Sequence, residues 1–323
     1  MTNSFAEHAI SYVLVTAAFN EEAVIEHTLR SVVSQTLLPL QWVIVSDGST
    51  DRTDEIVKKY AAQHNFIQLL RMTDKKHGHN FGAQVRAINA GVDQLKQLAY
   101  DFIGNIDADI GLDPEYFQSL LERFRRDPKL GLGGGFICDR QEDGSFRSRP
   151  RNSLRSVAHA AQMFRRPCFE STGAYQPLPY GGPDTHAEVS ARMNGWAVRS
   201  FPELRVLHYR PTGTANGIFR NSFRQGLMDY SLGYDPLYEV AKVMARISAQ
   251  PVSLMQALTT VSAYAWSSVL RKERPVSKEF VSFLRKEQRE RLGHTLLRTR
   301  RSPENTAPAI AGITDKSMSG ERL

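Results

Sequence analysis

Cysteine is scarce in this sequence, which has only Cys138 and Cys168. The two are 30 positions apart and form no CxxC pair, so the sequence predicts neither a disulfide framework nor a structural zinc site. A reducing, cytoplasmic setting is the simplest interpretation. The first residues also lack a basic segment followed by an apolar core, so we expect no signal peptide there.

A clear membrane-spanning segment is also lacking. Residues 247–270 carry no charged side chain and are nominally long enough to span a bilayer. However, this run contains Pro251 and many Ser, Thr and Gln residues, which favours a buried or interfacial helix. From the sequence alone, the run could span a membrane, lie on one or avoid one.

The positive charge is concentrated at one end of the chain. The formal net charge is +7, and residues 271–323 hold thirteen Lys and Arg against seven Asp and Glu. Such a segment suits a nucleic acid, a membrane surface or a solvated helix face. Residues 278–292 place Phe280 and Leu284 among Lys and Arg, a pattern typical of a basic helix that lies on a membrane or packs on the protein.

Strands and helices alternate over the first 110 residues. Short apolar runs at 12–18, 42–46, 66–70 and 100–104 predict buried strands, and helical patterns separate them. This alternation implies right-handed βαβ units and a mostly parallel sheet that is covered by helices. Ligands bind to such sheets beyond the carboxyl ends of the strands.

Polar motifs follow three of these strands. They occupy residues 17–21, 47–49 and 107–109. Asp107 and Asp109 are two apart, so on a continuing strand both carboxylates would point to the same face. Such a pair is repulsive unless a cation lies between them, and a divalent metal with a phosphate-bearing ligand is the usual solution. The alternative is an acidic loop before the next helix.

Taken together, these motifs resemble those of family 2 glycosyltransferases, which have the GT-A fold. The resemblance rests on residues 16–22, 45–51 and the DxD motif at 107–109. It covers about residues 10–140 in order and spacing, with a looser match to about residue 215. Ser46 departs from the pattern, because an Asp is frequent at its position.

The resemblance implies an α/β nucleotide-diphospho-sugar transferase fold with a mostly parallel central sheet flanked by helices. We expect a catalytic domain at 1–215, with a nucleotide half at about 10–110 and an acceptor half at about 111–215. A helical C-terminal region, which could associate with a membrane, would follow at 216–297. We expect the tail at 298–323 to be disordered.

Several nucleotide-binding residues are implied by the same resemblance. The Asp47 carboxylate would accept a hydrogen bond from the nucleotide base, in a pocket lined near Ala17 and Phe19, with Glu21 also in the nucleotide-binding set. Asp107 would face the ribose. An ordinary turn is the alternative for Asp47, because Asp-Gly-Ser is common turn chemistry.

The resemblance also implies a metal site for Mg²⁺ or Mn²⁺. Asp109 would bind the metal that bridges the diphosphate, assisted by Asp107. His208, at the end of a predicted strand, is a candidate ligand of the metal or the diphosphate, although most lone histidines are neither. Arg210 is a candidate phosphate contact.

The acceptor half contains a candidate catalytic base. Family members carry an acidic residue at the start of a helix here, with Arg and Gly downstream, and Arg192 and Gly195 match that pattern. Asp184 fits this position and the N-cap of the helix. The usual Glu-Asp pair is replaced by Pro183-Asp184 and the spacing is about two residues long, so Glu188 is a competitor.

Two other stretches of this half give local predictions. Residues 130–138 predict a strand whose three consecutive glycines allow close approach of a backbone or ligand. Residues 154–164 predict a helix.

The sequence thus predicts a metal-dependent, inverting hexosyltransferase that uses a nucleotide-diphosphate sugar and a saccharide or lipid-linked acceptor in polysaccharide or glycolipid biosynthesis. We expect it at the inner face of the plasma membrane, held peripherally through its basic C-terminal region, with no nucleic-acid partner. The alternatives are a sugar-nucleotide nucleotidyltransferase, a non-catalytic GT-A scaffold and a basic nucleic-acid-binding protein. Donor, acceptor, linkage and oligomeric state cannot be read from the sequence.

Overall fold

The computed structural model describes residues 10–72, 81–150, 152–210, 217–249 and 254–299. These form two compact units, one within 1–137 and 149–210 and the other within 138–148 and 211–323. Residues 75–80, whose two lysines and two histidines suggest a cationic loop, lie outside the described residues, as does most of the predicted tail at 298–323.

The first unit is built around a sheet with the strand order β3-β2-β1-β4-β8-β6-β9-β5. Its strands are β1 (Tyr12–Ala18), β2 (Gln41–Ser46), β3 (Ile67–Arg71), β4 (Phe102–Ile106), β5 (Ile110–Leu112), β6 (Leu130–Arg140), β8 (Ala161–Arg165) and β9 (Ala197–His208). Its helices are α1 (Ile25–Val33), α2 (Thr53–Ala61), α3 (Phe81–Leu95), α4 (Tyr116–Arg126), α5 (Arg166–Ser171) and α6 (Pro183–Met193). The last residues of β6, Cys138–Arg140, belong to the second unit, where they pair with β7 (Phe146–Ser148).

The first four strands along this order are parallel, as predicted. β1 pairs with β2 on one side and with β4 on the other, and β2 pairs with β3. Successive residues of β1, such as Val13 and Leu14, are both fully buried, in two clusters on opposite faces of the sheet. Helices cover both faces of a parallel sheet, so its strands are apolar at consecutive positions. The apolar runs in the sequence reflect this burial.

The other half of the sheet is antiparallel, so the sheet is mixed. β8 pairs antiparallel with β4 and β6, and β5 pairs antiparallel with β9. The helix predicted at 154–164 is wrong, because residues 161–165 form β8. Both edges of β8 are paired, between β4 and β6, and this pairing overrides the local helical pattern. The α/β class with flanking helices is confirmed.

The glycine-rich strand β6 passes very close to neighbouring backbone, as the sequence predicted. A Cβ atom added to Gly134 would lie 2.4 Å from the carbonyl oxygen of Ala161. One added to Gly135 would lie 2.2 Å from the carbonyl oxygen of Leu204. Both distances are far below van der Waals contact, so no larger residue fits without moving a strand.

The second unit contains four helices: α7 (Ile218–Ser231), α8 (Pro236–Ala249), α9 (Leu254–Val269) and α10 (Lys278–Thr299). α7 and α9 pack closely, since a Cβ on Gly226 would lie 2.1 Å from the carbonyl oxygen of Thr260. In α10, Phe280 and Leu284 are buried, so the apolar side of this basic helix packs on the protein. Arg289 Nε donates to Asp235 Oδ2 over 2.7 Å.

None of the described helices combines the length and the apolar character needed to cross a bilayer.

We predict that Gly135→Ala destabilises the first unit by about 3 kcal/mol, because its methyl group would collide with a backbone carbonyl that cannot rotate away. Gly133→Ala is the matched control on the same strand. Its Cβ would lie 3.1 Å from the Phe124 ring, which is a side chain that can shift. Urea denaturation followed by circular dichroism should separate the two variants, and equal losses would contradict the assignment.

Candidate active site

The three predicted motifs lie at one edge of the sheet. β2, β1 and β4 are parallel neighbours, so their carboxyl ends point in the same direction. Asp107 directly follows β4, and the Asp47 amide donates to the carbonyl oxygen of Ala18 over 2.9 Å, which joins the ends of β1 and β2. Ala17, Phe19 and Asp47 are half-buried there.

Hydrogen bonds between the loops after β1 and β2 fix this edge. Asn20 adopts a left-handed backbone (φ 53°), and its Oδ1 accepts from the Thr50 amide over 2.8 Å. The Glu21 amide donates to Thr53 Oγ1 over 2.8 Å. Ser46, at the position where family members often have Asp, is buried and its hydroxyl donates to Ser49 Oγ over 3.1 Å. Ser46, which departs from the family pattern, therefore stabilises the turn after β2.

An excess of negative charge gathers at this edge. The pKa of Glu21 is raised to about 7. Burial is the largest cause, the nearby charges of Asp109 and Asp107 also raise it, and Arg210 lowers it. Burial also raises the pKa of Asp109, with the Asp107 charge as the next cause. Two carboxyl groups whose pKa values are raised, with the Asp107 carboxylate beside them, form a site suited to a cation.

The structure brings Asp109 and His208 together. His208 ends β9, where it pairs with Ile110, and its Nε2 lies 3.6 Å from Asp109 Oδ2. The Tyr209 amide donates to the Asp109 carbonyl oxygen over 2.9 Å, so the backbone on both sides is held. The pairing of β5 with β9 therefore joins two residues that are 99 positions apart.

Asp109 and His208 carry donor atoms that suit a divalent metal. In the described part of the chain, however, no group of three or more His, Cys, Asp or Glu could hold one. Asp109 and His208 offer a carboxylate oxygen and an imidazole nitrogen at one point, beside the unfavourable charge of Asp107. Mg²⁺ and Mn²⁺ commonly complete their coordination with water and phosphate oxygens. A partial protein shell is thus compatible with a metal that arrives with a diphosphate.

Arg210 binds Glu21 at the same edge. Its Nη1 donates to Glu21 Oε1 over 3.2 Å, and its Nη2 contacts Oε2 of the same carboxylate. The sequence suggested a phosphate contact for Arg210 but did not suggest this partner, which lies 189 positions away.

His159 is a site residue that the sequence did not reveal. Its Nδ1 lies 3.5 Å from Asp107 Oδ1, which also accepts from Gln84 Nε2 over 3.3 Å. The Asn105 side chain donates to the His159 carbonyl oxygen over 2.8 Å. Burial lowers the pKa of His159, but the contact with Asp107 and the charge of Asp184 outweigh burial and raise it. A lone histidine in a stretch predicted as helix carried no signal of this position.

Asp184 lies at the second position of α6 and not at the N-cap, where the sequence placed it. Gly182, with φ 85°, is the N-cap, and Pro183 occupies the first helical position. Asp184 Oδ1 accepts from the Thr185 amide over 2.8 Å, and the side chain is half-buried. Its effect on the pKa of His159 places it close to the same site. Gly195, with φ 81°, follows the end of the helix, as predicted.

Glu188 lies one turn further along α6 and is buried. Its Oε1 accepts from the Ser156 hydroxyl over 2.9 Å and from the Val157 amide over 2.7 Å. Its Oε2 lies 3.7 Å from Arg192 Nη1. Burial raises the pKa of Glu188 to about 8, and the Asp184 charge adds to this effect. Glu188 therefore ties the loop before β8 to α6.

In chemical terms, this edge offers a carboxylate cluster suited to a cation and the half-buried carboxylate of Asp184 in the first turn of α6. Parallel α/β sheets bind phosphate-bearing ligands at this kind of edge. The arrangement suits a phosphate-bearing ligand together with a cation.

Comparison with known proteins gives sequence relatives. Poly-beta-1,6-N-acetyl-D-glucosamine synthase of Staphylococcus aureus (strain COL) is 32% identical over 119 residues, which is 37% of this chain and 26% of that protein. The chain thus spans about a quarter of the length of this curated relative.

Solved structures resemble the chain in fold. Mannosyltransferase PcManGT from Pyrobaculum calidifontis, in complex with GDP-Man and Mn²⁺, matches 88% of this chain and 86% of its own at 16% identity, with a TM-score of 0.52. GalNAc-T7 with UDP, GalNAc and Mn²⁺ matches 90% of this chain and 58% of its own at 15% identity, with a TM-score of 0.55. The predicted GT-A fold is therefore confirmed.

The family model described as Glycosyl transferase family 2 matches residues 13–178. This range is just over half of the chain and contains the loops after β1, β2 and β4. The chain belongs to glycosyl transferase family 2.

Proposed function

We propose that the protein is an inverting, metal-dependent glycosyltransferase that moves a sugar from a nucleotide-diphosphate sugar to an acceptor hydroxyl. The observation that carries this proposal is the gathering of Asp107, Asp109 and Asp184 around one edge of the sheet. A single acidic pair would be a common loop feature. Such a transfer needs at least a group of carboxylates that can hold a cation and a separate general base.

The donor would lie across the carboxyl ends of β1, β2 and β4. Asp47 would accept a hydrogen bond from the base, beside Ala17, Phe19 and Glu21, and Asp107 would face the ribose. Gln84 and His159 support this role, because their contacts with Oδ1 of Asp107 orient the carboxylate. The complexes of PcManGT with GDP-Man and of GalNAc-T7 with UDP support a nucleoside-diphosphate donor.

Asp109 and His208 would hold Mg²⁺ or Mn²⁺, with Asp107 close by. When bound, the metal would neutralise the charge that develops on the departing diphosphate. The Mn²⁺ in both structural relatives supports a divalent ion. The desolvated Asp109 carboxyl supports it independently, because a bound cation would remove the electrostatic cost of ionising this group.

Asp184 would act as the general base. It would take the proton from the acceptor hydroxyl as that oxygen bonds to the anomeric carbon and the nucleoside diphosphate leaves from the opposite side. The side chain is half-buried in the first turn of α6, which supports this role because an acceptor hydroxyl could reach it. Glu188 is a poorer candidate, because its side chain is buried and already accepts two hydrogen bonds.

We also propose a saccharide or lipid-linked acceptor and a role in polysaccharide or glycolipid biosynthesis at the inner face of the plasma membrane. The curated relative, a polysaccharide synthase by name, supports this class of product. Membership of the family favours transfer over the nucleotidyltransferase alternative.

We predict that a UDP- or GDP-sugar with Mn²⁺ raises the melting temperature of the protein by about 5 °C at ~100 times its Kd. Asp109→Asn should remove the metal-dependent part of this shift. Asp93→Asn, on the exposed side of α3, is the control and should keep it. A scan of nucleotide sugars by thermal denaturation makes the measurement. If no nucleotide sugar with metal stabilises the native protein, the transferase proposal fails.

We predict that Asp184→Asn lowers kcat by at least about 100-fold and leaves donor binding intact, because only the proton acceptor is lost. Glu188→Gln should lower kcat by less than about tenfold. The two variants are compared in a transfer assay and in donor-dependent thermal shifts. An active Asp184→Asn together with an inactive Glu188→Gln would move the base to Glu188.

We predict that Glu188 makes the folded state less stable as pH rises. Its pKa of about 8 in the folded state lies above the ordinary value of 4.5, so its stabilising contribution is complete below about pH 4.5 and is lost as pH rises through 8. Glu188→Gln should flatten the pH dependence of the unfolding free energy in this window, by up to ~1.4 kcal/mol per pH unit. Glu115→Gln, on the surface, controls for the loss of one carboxylate. An unchanged profile in Glu188→Gln would refute this role.

A further inference from the structure

Helices α8 and α9 contact each other, and each exposes an apolar face; we call these two faces together the α8–α9 surface. Wherever the structure describes the side chains of these two helices, no exposed residue is charged. The exposed residues are Pro236, Leu237, Val240, Met244, Ala245, Leu254, Met255, Leu258, Ser262, Ala265, Trp266, Ser268 and Val269.

The large members of this surface are strongly exposed and share helix faces. Leu237, Val240 and Met244 follow one another at i, i+3 and i+7 along α8, and are 72%, 53% and 59% exposed. On α9, Met255 is 60% exposed and Trp266 is 58% exposed. Stripes at helical spacing differ from scattered surface residues, which need no explanation.

The opposite faces of the same helices are already packed. Ala257, Thr260, Ala263, Tyr264 and Ser267 of α9 are buried, and Gly226 of α7 lies against this face. The inner side of α8 carries buried Val243 and Glu239, which pairs with Lys242 over 2.6 Å. The second unit therefore has its own core, and the α8–α9 surface is additional to it.

The surface is bordered by positive charge. Arg271 and Lys272, both exposed, directly follow α9, with Glu273 next to them. Residues 271–293 carry eight basic and four acidic side chains, and most of them belong to α10, which packs on α8. An apolar face that ends in a tryptophan and has a basic border matches the headgroup region of an anionic bilayer.

We propose that the α8–α9 surface binds an anionic lipid bilayer, with both helices lying in the plane of the membrane. The apolar stripes would enter the boundary between headgroups and acyl chains, and Arg271 and Lys272 would contact lipid phosphates. A helix of 16 residues, about 24 Å long, suits this orientation.

This proposal names the surface through which the protein would bind the membrane. It rests on the proposed peripheral location and is independent of the transfer chemistry. It also narrows the expected surface. The sequence offered an interfacial helix within 247–270 and the basic helix at 278–292. Phe280 and Leu284 of the basic helix are buried, and the exposed apolar stripes lie on α9, within the first of these segments, and on α8.

The test is flotation of the full chain with neutral phosphatidylcholine vesicles and with vesicles that contain phosphatidylglycerol. We expect binding to the anionic vesicles and at least a tenfold loss of affinity in the double variant Met244→Ser/Trp266→Ser. Leu40→Ser/Leu154→Ser is the matched control, because these leucines are 53% and 57% exposed on the first unit. Arg271→Gln/Lys272→Gln should weaken binding to anionic vesicles only.

Three results would overturn the proposal: no binding of the native protein to anionic vesicles, equal binding by Met244→Ser/Trp266→Ser, or a native dimer that this variant converts to a monomer with no vesicle binding. The last would make the surface an interface between two copies. The donor-dependent thermal shift of the same double variant should equal that of the native protein. Failure of membrane binding is thus distinguishable from failure of the transferase proposal.

Discussion

Parallel pairing of β1 with β2 and with β4 is the constraint on which the site depends. Parallel neighbours end at the same edge, so the backbone hydrogen bonds of three short apolar strands bring the loops at Ala17, Asp47 and Asp107 together. These strands are buried on both faces, which couples the position of the polar loops to the stability of the core. A change inside β1 would therefore disturb both.

Electrostatics at this edge oppose folding and favour a ligand. Burial raises the pKa of Glu21 and of Asp109, and the structure offsets part of this cost with Arg210 for both groups and with His208 for Asp109. Binding of a cation would offset the remainder. The site is thus held in a charged arrangement by contacts from β9 and from the loop before β8, which lie far from it in the chain.

The antiparallel half of the sheet and α6 supply candidate site residues that the parallel half does not contain. β9 delivers His208, the segment before β8 delivers His159, and α6 delivers Asp184. Glycines of β6 allow these strands to approach closely, and Glu188 fixes α6 to the loop before β8. The second unit has its own core, and its helices α8 and α9 carry exposed apolar side chains.

The sequence alone determined the alternating strands and helices up to Asp107. Strands that are buried on both faces need apolar residues at consecutive positions and are followed by polar residues, and both patterns can be read locally. It also determined the family, through motifs of specific order, and the close-packed glycines of β6. Only the tertiary structure decided that residues 161–165 form a strand, that His159 contacts Asp107, that Glu21 binds Arg210 and that α8 and α9 carry the exposed apolar surface. These features depend on pairing and packing between distant segments. The local periodicity of a segment does not indicate which distant segment it will contact.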